Sequence, residues 1–152
     1  MKESGNNILI IGIGNSGRAD DGLGWAFIDE IKSSLPDLID CEYRYQLQIE
    51  DAELIGHYSQ VYFVDADTNT WEGGFRISKC GSKPVHGFST HELEPETVVY
   101  LAESLYNKNP EAYILGISGL SFNLEMGLTP GAKRNLELAL KYFEENILNL
   151  IT

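Results

Sequence analysis

The sequence predicts one α/β domain over residues 1–152, a twisted, mostly parallel sheet of about five strands sandwiched between helices. Three observations carry that prediction. Short β-branched runs alternate with segments of helical periodicity, the first run ends directly in a glycine-rich loop, and 152 residues is the length of a single domain. A chain of this size buries about two-thirds of its surface and needs neither disulfides nor structural metal.

Residues 8–13 form a β-branched and leucine run interrupted by glycine, read as a central strand buried on both faces. From Leu23 apolar residues recur at Phe27, Ile31 and Leu35, with Asp20 or Asp21 available as N-cap and Pro36 closing the segment, so a helix follows. Residues 41–49 alternate, with Cys41, Tyr43, Tyr45, Leu47 and Ile49 on one face, as a strand with one solvated side does. A brief helix around Ala52–Tyr58 leads to Val61-Tyr62-Phe63-Val64, a buried strand that stops at Asp65.

Phe75–Ile77 reads as another strand, and residues 80–90, rich in Gly, Ser and Pro, as a loop. Ser89-Thr90-His91-Glu92 fits a capping box, which starts a helix with Val98, Leu101, Ala102 and Leu105 facing the core and places His91 in its first turn. Tyr113–Ile117 is a further strand. Thr129-Pro130 then supplies an N-cap and a proline at the first helical position, and the last helix carries Leu136, Leu140, Phe143, Ile147 and Leu150 on one stripe.

Composition narrows the function. Against 11 basic residues stand 23 acidic ones, a formal net charge of −12 that repels phosphate backbones and anionic membrane surfaces. Two cysteines, Cys41 and Cys80, form neither a disulfide framework nor a C-x-x-C pair, which fits reduced thiols in the cytoplasm. The apolar run Ile8–Ile11 is too short for a signal or membrane segment.

Open α/β sheets bind ligands outside the carboxyl ends of their strands, and three candidate groups fall there. Asp21 follows the first strand, Asp65 ends a central one, and His91 opens a helix after the longest polar loop. Two carboxylates and an imidazole suit zinc, nickel or another first-row divalent ion, with positions left open for water or substrate. Two of the three also have a plainer role, helix capping for Asp21 and an ordinary helix start for His91, whereas a carboxylate at a buried strand's end, as at Asp65, is harder to explain by solubility. A histidine there meets the positive end of the helix dipole, which disfavours its protonated form and keeps the ring available as a ligand.

Other constellations are weaker. His57 and His86 are alternative ligands, and His86 with His91 could chelate one ion from two ends of a loop, but no metal-site spacing supports that pair. A Cys80–His91 pair lacks a cysteine-hydrolase signature, and no serine sits in G-x-S-x-G. Gly12-Ile13-Gly14-Asn15-Ser16-Gly17 matches G-x-G-x-x-G after a strand, the alternative reading being a nucleotide-binding loop. Two acids, Asp20 and Asp21, would then sit beside the pyrophosphate, and Glu50 and Asp51 lie well beyond the usual ribose-binding offset of about 20 residues.

The longer stretch Gly12-Ile13-Gly14-Asn15-Ser16-Gly17-Arg18-Ala19-Asp20-Asp21-Gly22-Leu23-Gly24 resembles the opening signature of the hydrogenase maturation proteases: G-x-G-N, four variable residues, then D-[DE]-G-x-G. Val64-Asp65-Ala66 is similar to that family's second acidic site, Ser89-Thr90-His91-Glu92-Leu93 to its histidine site, and Gly127-Leu128-Thr129-Pro130 to the approach to its last helix. The matches run in family order over nearly the whole chain. Two features depart from the commonest pattern: Asp21 where many members carry Glu, and Gln46-Leu47-Gln48-Ile49-Glu50-Asp51 where some have a glycine- and threonine-rich loop.

The resemblance implies a phosphorylase/hydrolase-like fold and an endopeptidase that removes the C-terminal extension of the [NiFe]-hydrogenase large-subunit precursor after nickel insertion. It makes Asp21, Asp65 and His91 both the catalytic and the metal-contacting set. The expectation that follows is nickel supplied by the substrate, zinc or cadmium as adventitious occupants, and a cytoplasmic monomer without nucleic-acid or membrane partners. A non-catalytic, nickel-sensing chaperone of the large subunit is the alternative within the same resemblance.

Overall fold

The structure, a computed structural model, describes residues 7–84 and 93–151. Five strands form one sheet: β1 (Ile8–Ile13), β2 (Ile39–Arg44), β3 (Gln60–Asp67), β4 (Phe75–Lys79) and β5 (Glu111–Ser118), in the order β2-β1-β3-β5-β4. β1, β2, β3 and β5 run parallel, and β4 pairs antiparallel with β5 to form one edge. Every residue of β1 is buried, as its uninterrupted apolar character requires of a strand covered on both faces.

Four main helices cover the sheet: α1 (Leu23–Ile31), α2 (Glu50–Ile55), α3 (Pro95–Tyr106) and α4 (Pro130–Phe143), the last continuing through a π-helical stretch, Glu144–Leu148, into a final turn. The two-residue period of β1 divides the core. Ile8 and Ile10 pack with Phe27 and Ile28 of α1 and with Leu136 and Phe143 of α4. Leu9, Ile11 and Ile13 pack on the other face with Ala52 and Ile55 of α2 and with Val98 and Ala102 of α3. Phe27, Phe63 and Phe143 are fully buried, each stabilising the fold by about 1.5–3 kcal/mol through removal of apolar area from water.

The chain leaves β1 for β2 on one side and returns across it to β3 on the other, so a crevice opens where the order reverses, at the carboxyl ends of β1 and β3. The first turn of α1 is pressed against this point. A Cβ on Gly24 would stand 2.5 Å from the carbonyl oxygens of both Ile13 and Val64, and one on Gly12 would stand 2.5 Å from the carbonyl of Gly24. Two glycines therefore set how closely helix and sheet approach.

Several expected boundaries move. α1 has Gly22 at its N-cap and no side-chain cap, so neither Asp20 nor Asp21 plays that role. β2 ends at Arg44. Cys41 and Tyr43 pack towards α1 and α4, yet Leu47 packs against the opposite core, because the chain turns between Arg44 and Leu47 and breaks the alternation. β3 continues past Asp65 to Asp67 through its pairing with β5. α3 begins at Pro95 after Glu94 in extended conformation, so its first turn does not contain His91; the capping box at Ser89–Glu92 lies outside the described residues. Leu105 and Leu150 are exposed, not core-facing, while Val99 is buried.

Candidate active-site cleft

An open cleft of about 220 Å³ occupies the crevice. The end of β1 (Ile13, Gly14), Asp21, the segment Tyr45–Leu47, Asp65 and Leu93–Pro95 line it. Asp65 follows Val64, the last β3 residue paired with β1, so it emerges where the two strands part. One of its carboxylate oxygens accepts the Ala66 backbone N–H at 2.8 Å, which limits rotation of the side chain.

Asp21 reaches the cleft on a short 3₁₀ turn, Ala19–Gly22. Its carbonyl accepts the Asn15 N–H at 3.1 Å, and its own N–H donates to the Arg18 carbonyl at 3.0 Å. That approach demands glycine at position 14: φ there is +149°, and a Cβ would lie 2.0 Å from the Asp21 carbonyl oxygen. Asn15 closes the loop on itself by accepting the Gly17 N–H on Oδ1 at 2.8 Å.

This hydrogen bonding also bears on the G-x-G-x-x-G reading. The N–H groups of Gly14, Asn15, Gly17 and Arg18 are bonded within the protein, and α1 starts only at Leu23, beyond two carboxylates. A phosphate would find neither the amide cradle nor the helix N-terminus that such loops present.

Asp20 has a role that sequence reasoning missed. It is fully buried, and its carboxylate accepts the N–H groups of Leu120 at 2.7 Å, Ser121 at 3.0 Å and Thr129 at 2.7 Å together with the Thr129 hydroxyl at 2.8 Å. Burial alone would raise its pKa. The backbone bonds from Thr129 and Leu120, the Thr129 hydroxyl and the Ser121 N–H outweigh burial and hold it below the usual carboxylate value. Thr129 is the N-cap of α4 and accepts the Ala132 N–H, so the acid does serve a helix terminus, but one 109 residues away. No local pattern reveals such a partner.

The opposite wall has its own buried acid. Asp51, in the first turn of α2, accepts from Arg44 Nε at 3.0 Å and from the Gln48 N–H at 2.9 Å, holding the segment after β2. Leu47 forms an isolated antiparallel bridge with Leu93, and Tyr45 packs on Trp25 with ring centroids 4.8 Å apart.

Of the expected site residues, Asp21 and Asp65 are brought to one cleft; His91 and His86 lie outside the described residues. His57 follows α2 at the other end of the sheet, where its carbonyl accepts from the Asn7 side chain just ahead of β1. Burial, then the charge of Glu96, pushes the Cys80 thiol up to about 12, leaving almost no thiolate for nucleophilic attack at neutral pH. Among the described residues no three His, Cys, Asp or Glu side chains are grouped to hold a metal ion. Asp21 and Asp65 are the two acids lining the cleft between the ends of β1 and β3, together with Glu94 at its rim.

No family model and no curated protein matches this sequence. Solved structures do. The hydrogenase maturating endopeptidase HybD from E. coli superposes with a TM-score of 0.68 at 18% identity, over 95% of this chain and 93% of that one. The [NiFe] hydrogenase maturation protease HycI from Thermococcus kodakarensis gives a TM-score of 0.69 at 22% identity over 92% and 91% of the two chains. The hydrogenase 2 maturation peptidase from a Thaumarchaeota archaeon gives 0.66 at 20% identity over 91% and 96%. At these identities the likeness establishes the fold. No helix among the described residues is long and apolar enough to cross a membrane.

Proposed function

We propose that this protein is an endopeptidase that removes the C-terminal extension from a [NiFe]-hydrogenase large-subunit precursor after nickel has been inserted. The observation that carries the proposal is the meeting of Asp21 and Asp65 in one open cleft at the β1–β3 switch, within a fold shared with proteins named as hydrogenase maturation endopeptidases. At about 220 Å³ the cleft is smaller than the roughly 300–1,000 Å³ typical of enclosed small-molecule pockets, and it suits a chain segment laid across the surface.

Nickel belongs to the substrate in this reading. Asp21 and Asp65, with His91 as the third donor implied by the family resemblance, engage the ion from one side and so register the adjoining peptide bond in the cleft. Two carboxylates lining one cleft favour a cation there, and zinc or cadmium would occupy the same donors adventitiously. A water polarised beside the carboxylates attacks the scissile carbonyl; a carboxylate takes its proton, the C–N bond breaks, and the proton passes to the departing amine. Cleavage is thereby conditional on nickel.

Mass spectrometry of nickel-loaded precursor incubated with Asp21→Asn, Asp65→Asn and His91→Ala variants provides the test. The expected outcome is uncut precursor with each variant and a shortened large subunit with the wild type. Normal processing by all three variants would remove the site assignment. Precursor held intact in a stable complex with the wild type would turn the reading to a nickel-sensing chaperone.

A further inference from the structure

We infer that Asp20 is a positioning residue for the cleft: its buried carboxylate locks the turn that delivers Asp21 onto the loop 119–129 and, through Thr129, onto the start of α4. The inference rests on Asp21 being a working carboxylate, as proposed above.

The geometry is one-sided in a telling way. A residue placed only to start α1 would need a single acceptor for one helix N–H, and α1 has no side-chain cap at all. Asp20 instead spends all of its hydrogen-bonding capacity on a different segment of the chain: three backbone N–H groups and one hydroxyl, all from residues 120–129. Two backbone bonds run beside the carboxylate, Asp20 N–H to the Ser121 carbonyl at 2.9 Å and Ala19 N–H to the Glu125 carbonyl at 2.8 Å. Ala19 is held at φ 49°, a left-handed conformation that a non-glycine residue keeps only where its surroundings impose it.

The other side of the turn is tied to Asn15 and Arg18 through the backbone of Asp21 itself. Asp21 is thus clamped between two loops, and the peptide unit joining it to Asp20 cannot rotate without breaking the buried network. A buried charge with its full set of donors has one low-energy arrangement, so the neighbouring side chain inherits a fixed origin. The remaining cleft walls, Tyr45–Leu47 and Leu93–Pro95, belong to other elements and receive no bond from Asp20. Loss of Asp20 therefore disturbs where Asp21 stands without changing the surface that receives the substrate.

The experiment compares wild type with Asp20→Asn, Thr129→Val and Thr129→Ser by thermal unfolding, by kcat and KM on nickel-loaded precursor, and by calorimetric titration with Zn²⁺. Positioning predicts that Asp20→Asn, folded at the assay temperature, loses about tenfold or more in kcat with KM within about twofold of wild type, because a small misplacement of a reacting group is felt in the chemical step. Thr129→Val follows in the same direction, and Thr129→Ser, which keeps the hydroxyl, restores wild-type kcat. A lower Tm with unchanged kcat would overturn the inference and leave Asp20 a purely structural acid; raised KM at constant kcat would overturn it as well. Should Asp20→Asn not fold, Thr129→Val decides by the same criterion. Should the wild type not cleave the precursor, the proposed activity falls, and Zn²⁺ decides the inference: about tenfold weaker binding by Asp20→Asn supports it, while equal binding, or no binding by wild type, overturns it.

Discussion

One wall of the cleft, the turn carrying Asp21, is held by the four bonds of the Asp20 carboxylate, by the Gly14–Arg44 and Asn15–Asp21 backbone bonds and by glycine-only contacts. The other wall, residues 45–47 and 93–95, is joined across its two segments, among the described residues, by the isolated Leu47–Leu93 bridge and carries an exposed Tyr45. Under the proposed function the difference separates two tasks. A carboxylate that must meet an ion at a fixed distance gains from an over-determined backbone. A surface that must receive a stretch of another protein gains from fewer constraints, because local opening costs least where few buried bonds cross it.

Substitutions should therefore act differently on the two walls. The largest effect is expected for Asp21→Asn and Asp65→Asn, which keep the shape and remove the charge: processing should fall by on the order of 100-fold or more, measured as the rate of appearance of shortened large subunit. Retained activity in both would dissolve the distinction between an acid-bearing wall and a receiving wall.

Next comes Gly14→Ala, whose Cβ would meet the Asp21 carbonyl at 2.0 Å. Forced displacement of the turn should destabilise the protein by about 1–3 kcal/mol. At this chain length each kcal/mol lowers Tm by about 2–4 °C, so calorimetry resolves it. An unchanged Tm would mean that the turn yields, contrary to the account of a pinned wall.

The acid dependence of stability isolates Asp20. Its pKa in the folded protein lies below the ordinary 3.8, so its contribution is complete above that value and is lost as pH falls through the lowered one. Wild type should lose more stability on acidification than Asp20→Asn, whose difference from wild type is largest above about pH 5 and shrinks towards pH 2, measured by Tm against pH. Parallel curves would contradict the bonded-carboxylate account.

The smallest effect belongs to the receiving wall. Tyr45→Ala removes an exposed ring and its contact with Trp25, a loss of about 0.5–1.5 kcal/mol. It should raise KM a few-fold and leave kcat alone.

The contrast also marks what could be read from the sequence. The strand cores and the proline-led start of α4 follow from local patterns: β1 is apolar throughout, and Thr129-Pro130 caps in place. That Asp21 and Asp65 share one cleft was legible because they lie at or near strand ends, where the crevice of an α/β sheet opens. The partners of Asp20 were not legible, since its bonds span about a hundred residues and a carboxylate before an apolar helix carries the same local signal whether it caps that helix or ties down a distant loop. The turn after Arg44 was hidden for a similar reason: the polar-apolar alternation of residues 41–49 continues in the sequence while the backbone, drawn by the Arg44–Asp51 pair and the Leu47–Leu93 bridge, changes course.

The most direct measurement is the C-terminal mass of a large-subunit precursor after incubation with this protein, carried out in parallel on nickel-loaded and nickel-free material. The account predicts loss of the extension only from the nickel-loaded precursor, and only while Asp21 and Asp65 are intact. Equal cleavage of nickel-free precursor, or full-length mass in both samples, would contradict it.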